Sequence, residues 1–174
     1  METMEAIRTR RSVRKFTDEP INPSDLRAIL SAVMSGPSCV NARDWSFLVV
    51  QNPETLGRMA DANGRPAEPL RHCAAGILIL GDLSRAFPPA KDYWVIDGAI
   101  AAQNMTLAAH ALGLGSVWLG TWPQMDRVER QAKLFELPDT LIPHSILAIG
   151  HPAPETRFPR RDLYEDDRVH FERL

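Results

Sequence analysis

Strand-like apolar runs alternate with helical stretches along this chain, and that order predicts one sheet flanked by helices. Three observations carry the prediction. Short runs at 47–50, 76–80, 116–119 and 145–150 have the branched and aromatic content of buried strands. The stretches between them show helical periodicity, opened by Asn-Pro pairs and closed by glycine. A length of 174 residues with 44% hydrophobic content suffices for one sizeable core, so one domain spanning 1–174 is expected. Periodicity leaves strand direction undetermined, so α+β and α/β both remain open on pattern alone.

In chain order, Met4 to about Thr9 reads as a short helix with Met4 and Ile7 facing inward. Asn22-Pro23 is a cap followed by proline at the first helical position, with Asp25 three residues after the cap. Leu26, Ile29, Leu30 and Val33 follow at helical spacing, so a helix is expected over 23–35, stopped by Gly36-Pro37. The stretch 37–45 is too polar for a core element. Phe47–Val50 is a buried strand, and Asn52-Pro53 opens a helix that Gly64 ends, with a loop over 65–69. Gly76–Leu80 is apolar throughout and therefore central. A helix over about 94–112 carries Gly98, Ala101, Ala102 and Ala109 among Ile96, Ile100, Met105 and Leu107. So many small residues and so little charge predict burial on most sides, which an oligomer contact supplies more readily than a chain of this size. Two further strands and a helix ending near Leu137 follow. The stretch 151–174, with three prolines and many charges, reads as an arm lying on a surface.

Charge and cysteine content exclude several functions. Twenty basic against 22 acidic residues argue against a general nucleic-acid or membrane-surface binder. Cys39 and Cys73, far apart and without a C-x-x-C, make neither a disulfide framework nor a zinc site, and the five histidines lack ligand spacing. No apolar run approaches the ~20 residues that span a bilayer, and no apolar signal stretch precedes Arg8. A cytoplasmic setting is the expectation. No metal ligand set and no catalytic side chain stand out.

The one concentrated charge is Arg10-Arg11-Ser12-Val13-Arg14-Lys15-Phe16, where four of seven residues are cationic. Arginines beside a hydroxyl suit a phosphate monoester, because a guanidinium grips its oxygens in pairs. A solvated basic helix end is the alternative from charge alone.

Four segments in order carry a resemblance to a known family: the basic run; Pro37-Ser38-Cys39-Val40-Asn41 ahead of Trp45; Asp97 to Asn104 leading to His110-Ala111-Leu112-Gly113-Leu114-Gly115-Ser116-Val117-Trp118; and Ala148-Ile149-Gly150-His151-Pro152. The chain resembles the nitroreductase-like flavoproteins nearly end to end. The resemblance implies an α+β fold with a central, mostly antiparallel sheet flanked by helices, and a homodimer in which the arm at about 151–174 lies on the partner subunit. It implies an FMN-dependent oxidoreductase that takes hydride from NADH or NADPH and reduces an organic acceptor such as a nitroaromatic or quinone. The alternative within the fold is a flavin-binding or storage protein without that turnover. A colourless phosphate or nucleic-acid binder is the alternative outside it.

By the same resemblance, Arg10 and Ser12 hold the phosphate and ribityl chain, Arg11 belongs to the same FMN-binding run, and Arg14 approaches N1 and O2 of the ring. Pro37, Ser38, Cys39 and Asn41 reach over the partner's flavin. Leu119 and Gly120 offer backbone N–H groups towards N5 and O4, and Arg161, with Arg160 beside it, supplies a second phosphate cation. Hydride chemistry belongs to the flavin, so no catalytic side chain is required. The chain departs from the family's pattern at Leu163, at Leu70 and at Arg43-Asp44, where relatives often carry Arg, Lys and Gln-Pro.

Overall fold

The structure is a computed structural model describing residues 1–174. Helices α1 (Thr3–Thr9), α2 (Pro23–Met34), α3 (Pro53–Asn63), α4 (Tyr93–Ala111) and α5 (Met125–Leu134) surround strands β1 (Trp45–Val50), β2 (Ala75–Asp82), β3 (Gly115–Gly120) and β4 (Leu141–Gly150). The strands lie in the order β1-β2-β4-β3, and every neighbouring pair is antiparallel. That settles the class as α+β.

Both faces of the sheet are covered, which explains the unbroken apolar strands. On β2, Ile77 and Ile79 point into a core shared with Ile29 and Val33 of α2 and Ala101, Ala102, Met105 and Ala109 of α4. Leu78 and Leu80 point the other way, into a core with Leu56, Met59 and Ala60 of α3 and Leu70. Alternation with period two sends successive side chains to opposite layers. Strand β1 is less buried than its sequence suggests, because it forms one edge and only Trp45 and Val50 are enclosed.

The Asn-Pro signals hold. Asn22 Oδ1 accepts from the Ser24 amide at 2.9 Å, and Asn52 Oδ1 accepts from the Thr55 amide at 2.9 Å. Gly64, at φ 81°, closes α3 in the left-handed region where a Cβ would strain. Residues 65–72, expected to begin as a loop, instead form a 3-10 helix whose Ala67, Pro69 and Leu70 are buried.

One further expectation is corrected. Met4 and Ile7 of α1 face outward, because this short helix meets the fold through Ala6 and Thr9. Within its own chain helix α4 is buried on one side, leaving the other for the oligomer contact its sequence suggests. Its opposite face leaves Ile96 53% exposed, with Ile100 and Leu107 partly exposed. No helix is long and apolar enough to cross a membrane.

Candidate functional site

The basic run leaves α1 and lies along the outer edge of β3. Ser12 bridges Ser116 in parallel, and the Val13 amide donates to the Ser116 carbonyl at 2.9 Å. Glycine at 115 permits this approach, since a Cβ there would stand 2.8 Å from the Val13 side chain. Further on, Phe16 bridges Pro152, the Thr17 amide donates to His151, and the Ala153 amide donates to Lys15. The run thus reaches from the β3 edge to the segment that follows β4.

Pinning continues into residues 157–161. The Arg161 amide donates to the Arg8 carbonyl at 3.0 Å. Arg11 sends its guanidinium to the carbonyls of Arg8, Arg10 and Pro159, tying the two segments together. Burial and the neighbouring Arg161 and Arg10 hold the Arg11 pKa below its ordinary value. Beneath them, His110 Nε2 lies 2.8 Å from Thr9 Oγ1, whose own proton goes to the Glu5 carbonyl at 2.6 Å, so the ring donates. Burial, then Arg10 and Arg11, lower the His110 pKa, which keeps the ring neutral. The His110 ring also packs on Phe158 at 4.9 Å between centroids. It is a satisfied interior group that seats both walls of the site.

These walls enclose a cleft of about 680 Å³ lined by ten residues, six of them arginines: Arg8, Arg10, Arg11, Arg14, Arg157 and Arg161. Ser12 and Leu163 also line it, and no carboxylate does. Such a donor set suits a phosphate group, which guanidinium pairs bind without competition from an acid. Arg160 lies outside the cleft while Arg161 lines it. Arg8 and Arg157 were not anticipated from sequence, because neither stands in a motif and only the fold brings residues 8 and 157 together.

A second cleft of about 500 Å³ adjoins the first, and Arg14 lines both. Trp118, Leu119, Gly120, Arg65 and Pro69 form much of its wall. Ser116 turns its peptide groups outward to the basic run, so alternation turns those of Trp118 and Gly120 to the same edge. The same alternation turns the peptide groups of Leu119 towards β4. Nothing lies within 4 Å of the position a Cβ would take on Gly120, so a planar group can approach the backbone there.

Three partners fix this corner. Buried Asn63 donates to the Gly120 carbonyl at 3.2 Å and accepts from the Thr121 hydroxyl at 2.8 Å, and Arg127 donates to the Gly120 carbonyl at 2.9 Å. Asn63 escaped sequence reasoning because, at the end of α3, it looks like a helix-terminus residue.

The remaining sequence candidates lie elsewhere. Pro37, Ser38, Cys39 and Asn41 line neither cleft of their own chain. They form a tight loop with Val40, Asn41 and Arg43 at φ 45°, 57° and 52°. Left-handed non-glycine residues cost about 1–3 kcal/mol each, so this loop has to be held. The Cys39 amide donates to both carboxylate oxygens of Asp97 on α4, at 3.2 and 2.9 Å, and the Arg43 amide donates to Ser38 Oγ at 2.9 Å. Burial and then the acids Asp97 and Asp44 raise the Cys39 pKa, which makes its thiol a poor nucleophile.

Fold and site together describe a layered α+β protein with a cationic, two-part cleft on an edge strand. The chain belongs to the Nitroreductase family, whose sequence profile matches residues 7–78 and 63–151. It is 42% identical over 175 residues to a protein of Methanothermobacter thermautotrophicus provisionally named NADH dehydrogenase/NAD(P)H nitroreductase, covering 99% of this chain and 88% of that one. A Bacillus subtilis FMN reductase [NAD(P)H] is 30% identical over 87% of this chain and 66% of its own length. Among solved structures, an FMN-dependent nitroreductase from Clostridium difficile superposes with a TM-score of 0.89 at 26% identity, covering 98% of this chain and 99% of that one.

Proposed function

We propose that this protein is an FMN-dependent oxidoreductase that takes hydride from NADH or NADPH and reduces an organic acceptor such as a nitroaromatic or quinone. The observation that carries the proposal is the position of Arg14. One cation joins a carboxylate-free arginine cleft to an edge cleft that ends at the open backbone of Gly120. FMN has that division, with a phosphate at one end and a planar, hydrogen-bonding ring at the other.

Arg10, Ser12 and Arg161 hold the phosphate. Arg11 and Arg157, engaged with carbonyl oxygens, shape the cleft and add to its positive field. Arg14 stands towards N1 and C2=O of the ring, where its fixed charge stabilises the negative charge of two-electron reduction without reorganisation. Gly120 gives the backbone N–H at the N5 edge, and Leu119 buries its side chain beneath the ring cleft. Bound FMN supplies a two-electron carrier between nicotinamide and acceptor. The balance is simple: NAD(P)H leaves as NAD(P)⁺, and a quinone gains the hydride and one proton from water to become the hydroquinone.

The working unit is a homodimer. The half-exposed apolar face of α4, with Ile96, Ile100 and Leu107, meets its copy. Residues 37–41 of one chain then cover the flavin held by the other. Residues up to Leu163 line a cleft of their own chain or pack on it, so the arm that reaches the partner narrows to 164–174, where Tyr164 and Phe171 are exposed. The acting form is one domain over 1–174 in a cytoplasmic setting.

The test is the visible spectrum of the purified protein under anaerobic conditions. The expected result is a yellow protein whose flavin absorbance is bleached by NADH or NADPH and restored by a quinone. A colourless protein that takes up no FMN would overturn the proposal. Bound flavin that neither nucleotide reduces would replace it with flavin storage.

A further inference from the structure

Asp44 sits between the strained loop and β1, and it is 1% exposed. Neither of its carboxyl oxygens meets a hydrogen-bond donor. Its own backbone amide favours the charged form, but burial and the neighbouring acids outweigh it. The Asp97 carboxyl from α4 lies within hydrogen-bonding reach, and Asp82 at the end of β2 is the next acid. The nearby Cys39 thiol has its pKa raised by burial and then by Asp97 and Asp44. Arg43, the adjacent cation, turns its guanidinium to the Met34 carbonyl at 3.4 Å. Two buried carboxylates without a cation repel, whereas one proton between them makes a hydrogen bond. Asp97 is already the group that anchors the loop to a helix, through the Cys39 amide.

We propose that Asp44 is a positioning residue: a proton shared by its carboxyl and that of Asp97 locks residues 37–43, and loss of that proton loosens the loop's cover over the flavin. The link to flavin rests on the proposed function, while the lock itself does not. The carboxyl is satisfied only while protonated, and its partner then keeps a fixed direction for the Cys39 amide. Burial, followed by Asp97, pushes the Asp44 pKa up from the usual carboxylate range to about 6. An acid whose pKa is higher in the locked state favours locking most below its unlocked pKa of 3.8, and that contribution is lost as pH rises through 6. With those two values the locking equilibrium falls about tenfold between pH 5 and 7 and is flat above pH 8.

Hydrogen exchange at the Cys39 amide tests the lock in the full chain without added flavin, as protection corrected for intrinsic exchange. Wild-type protection should fall from pH 5 to 7, by up to about tenfold. Asp44→Asn, whose amide donates to Asp97 without charge, should stay protected throughout. Asp44→Ala, which leaves Asp97 without a donor, should stay unprotected throughout. Wild-type protection independent of pH, or an Asn variant with the wild-type profile, would overturn the lock. Should the Ala variant not fold, carbon-13 titration of the wild-type carboxyls decides: a midpoint for Asp44 near 6 supports the shared proton, and one near 3.8 removes it.

The flavin half has its own reading. The ratio of FMN affinities, Asp44→Asn over wild type, cancels titration of the FMN phosphate and should rise from pH 5 to 7, the rise and the fall in protection together multiplying to about tenfold. A flat ratio would overturn the link between loop and flavin. A protein that binds no FMN at any pH would overturn the proposed function and leave the exchange result standing.

Discussion

Replacing Gly115 by Ala should weaken FMN binding at a distance from every atom that would touch the ligand. The new Cβ would stand 2.8 Å from both Cβ and Cγ1 of Val13 and 3.0 Å from Cγ2. Carbon atoms rest at about 3.5–4.0 Å, so a separation of roughly 1 Å must be found. Val13 cannot find it by changing rotamer, because its own Cβ is struck. The basic run must retreat, which stretches the 2.9 Å bond from the Val13 amide to the Ser116 carbonyl beyond hydrogen-bonding range. Arg10, Ser12 and Arg14 retreat with it. A displacement of about 1 Å in a binding constellation costs on the order of a hundredfold, and overpacking adds about 1–3 kcal/mol of instability. Titration of FMN against the apoprotein reads the first effect and a thermal melt reads the second. Adding Val13→Gly removes all three struck atoms and should restore most of the affinity. If Gly115→Ala alone binds FMN within about twofold of wild type, under 0.5 kcal/mol, the close approach of run and strand does not govern the site.

Arg161→Ala should weaken FMN roughly 10- to 150-fold, the worth of a charge-assisted hydrogen bond of ~1.5–3 kcal/mol, while leaving riboflavin almost unaffected. Arg160→Ala, outside the cleft, should change neither, and equal losses for the two variants would show that the cleft does not distinguish them. Heterodimers of an Arg10→Ala chain and an Asn41→Ala chain should regain tight FMN binding at half their sites if each flavin is shared between chains. Stoichiometry near zero on purified heterodimers would confine each site to one chain.

The strands, the capped helices and the basic run were readable locally, because each rests on residues adjacent in sequence. Strand direction was not. Ile77 to Leu80 is apolar at every position because α2 and α4 cover one face and α3 the other, and that holds whichever way the neighbours run. The outward turn of Met4 and Ile7 was equally hidden, since a short helix shows its inner side only once Thr9 meets His110. Within the candidate site, Arg10, Ser12, Arg14 and Arg161 lay in motifs. Arg157, Asn63 and Asp44 did not, and each acquires its position from contacts across long stretches of chain. Asp44 is legible in retrospect as a departure from the family's pattern, but only burial against Asp97 gives that departure a meaning.

The bonds from Arg11 to Pro159 and from Arg161 to Arg8 join residues near the opposite ends of the described chain. A growing polypeptide presents the basic run early, yet the facing wall with Phe158 and Arg161 is synthesised only after every strand of the sheet. Until Phe158 has been added His110 lacks its aromatic neighbour, and until Arg161 has been added the arginine cleft stands open on one side. The complete phosphate cleft is therefore available only after every strand of the sheet has been synthesised.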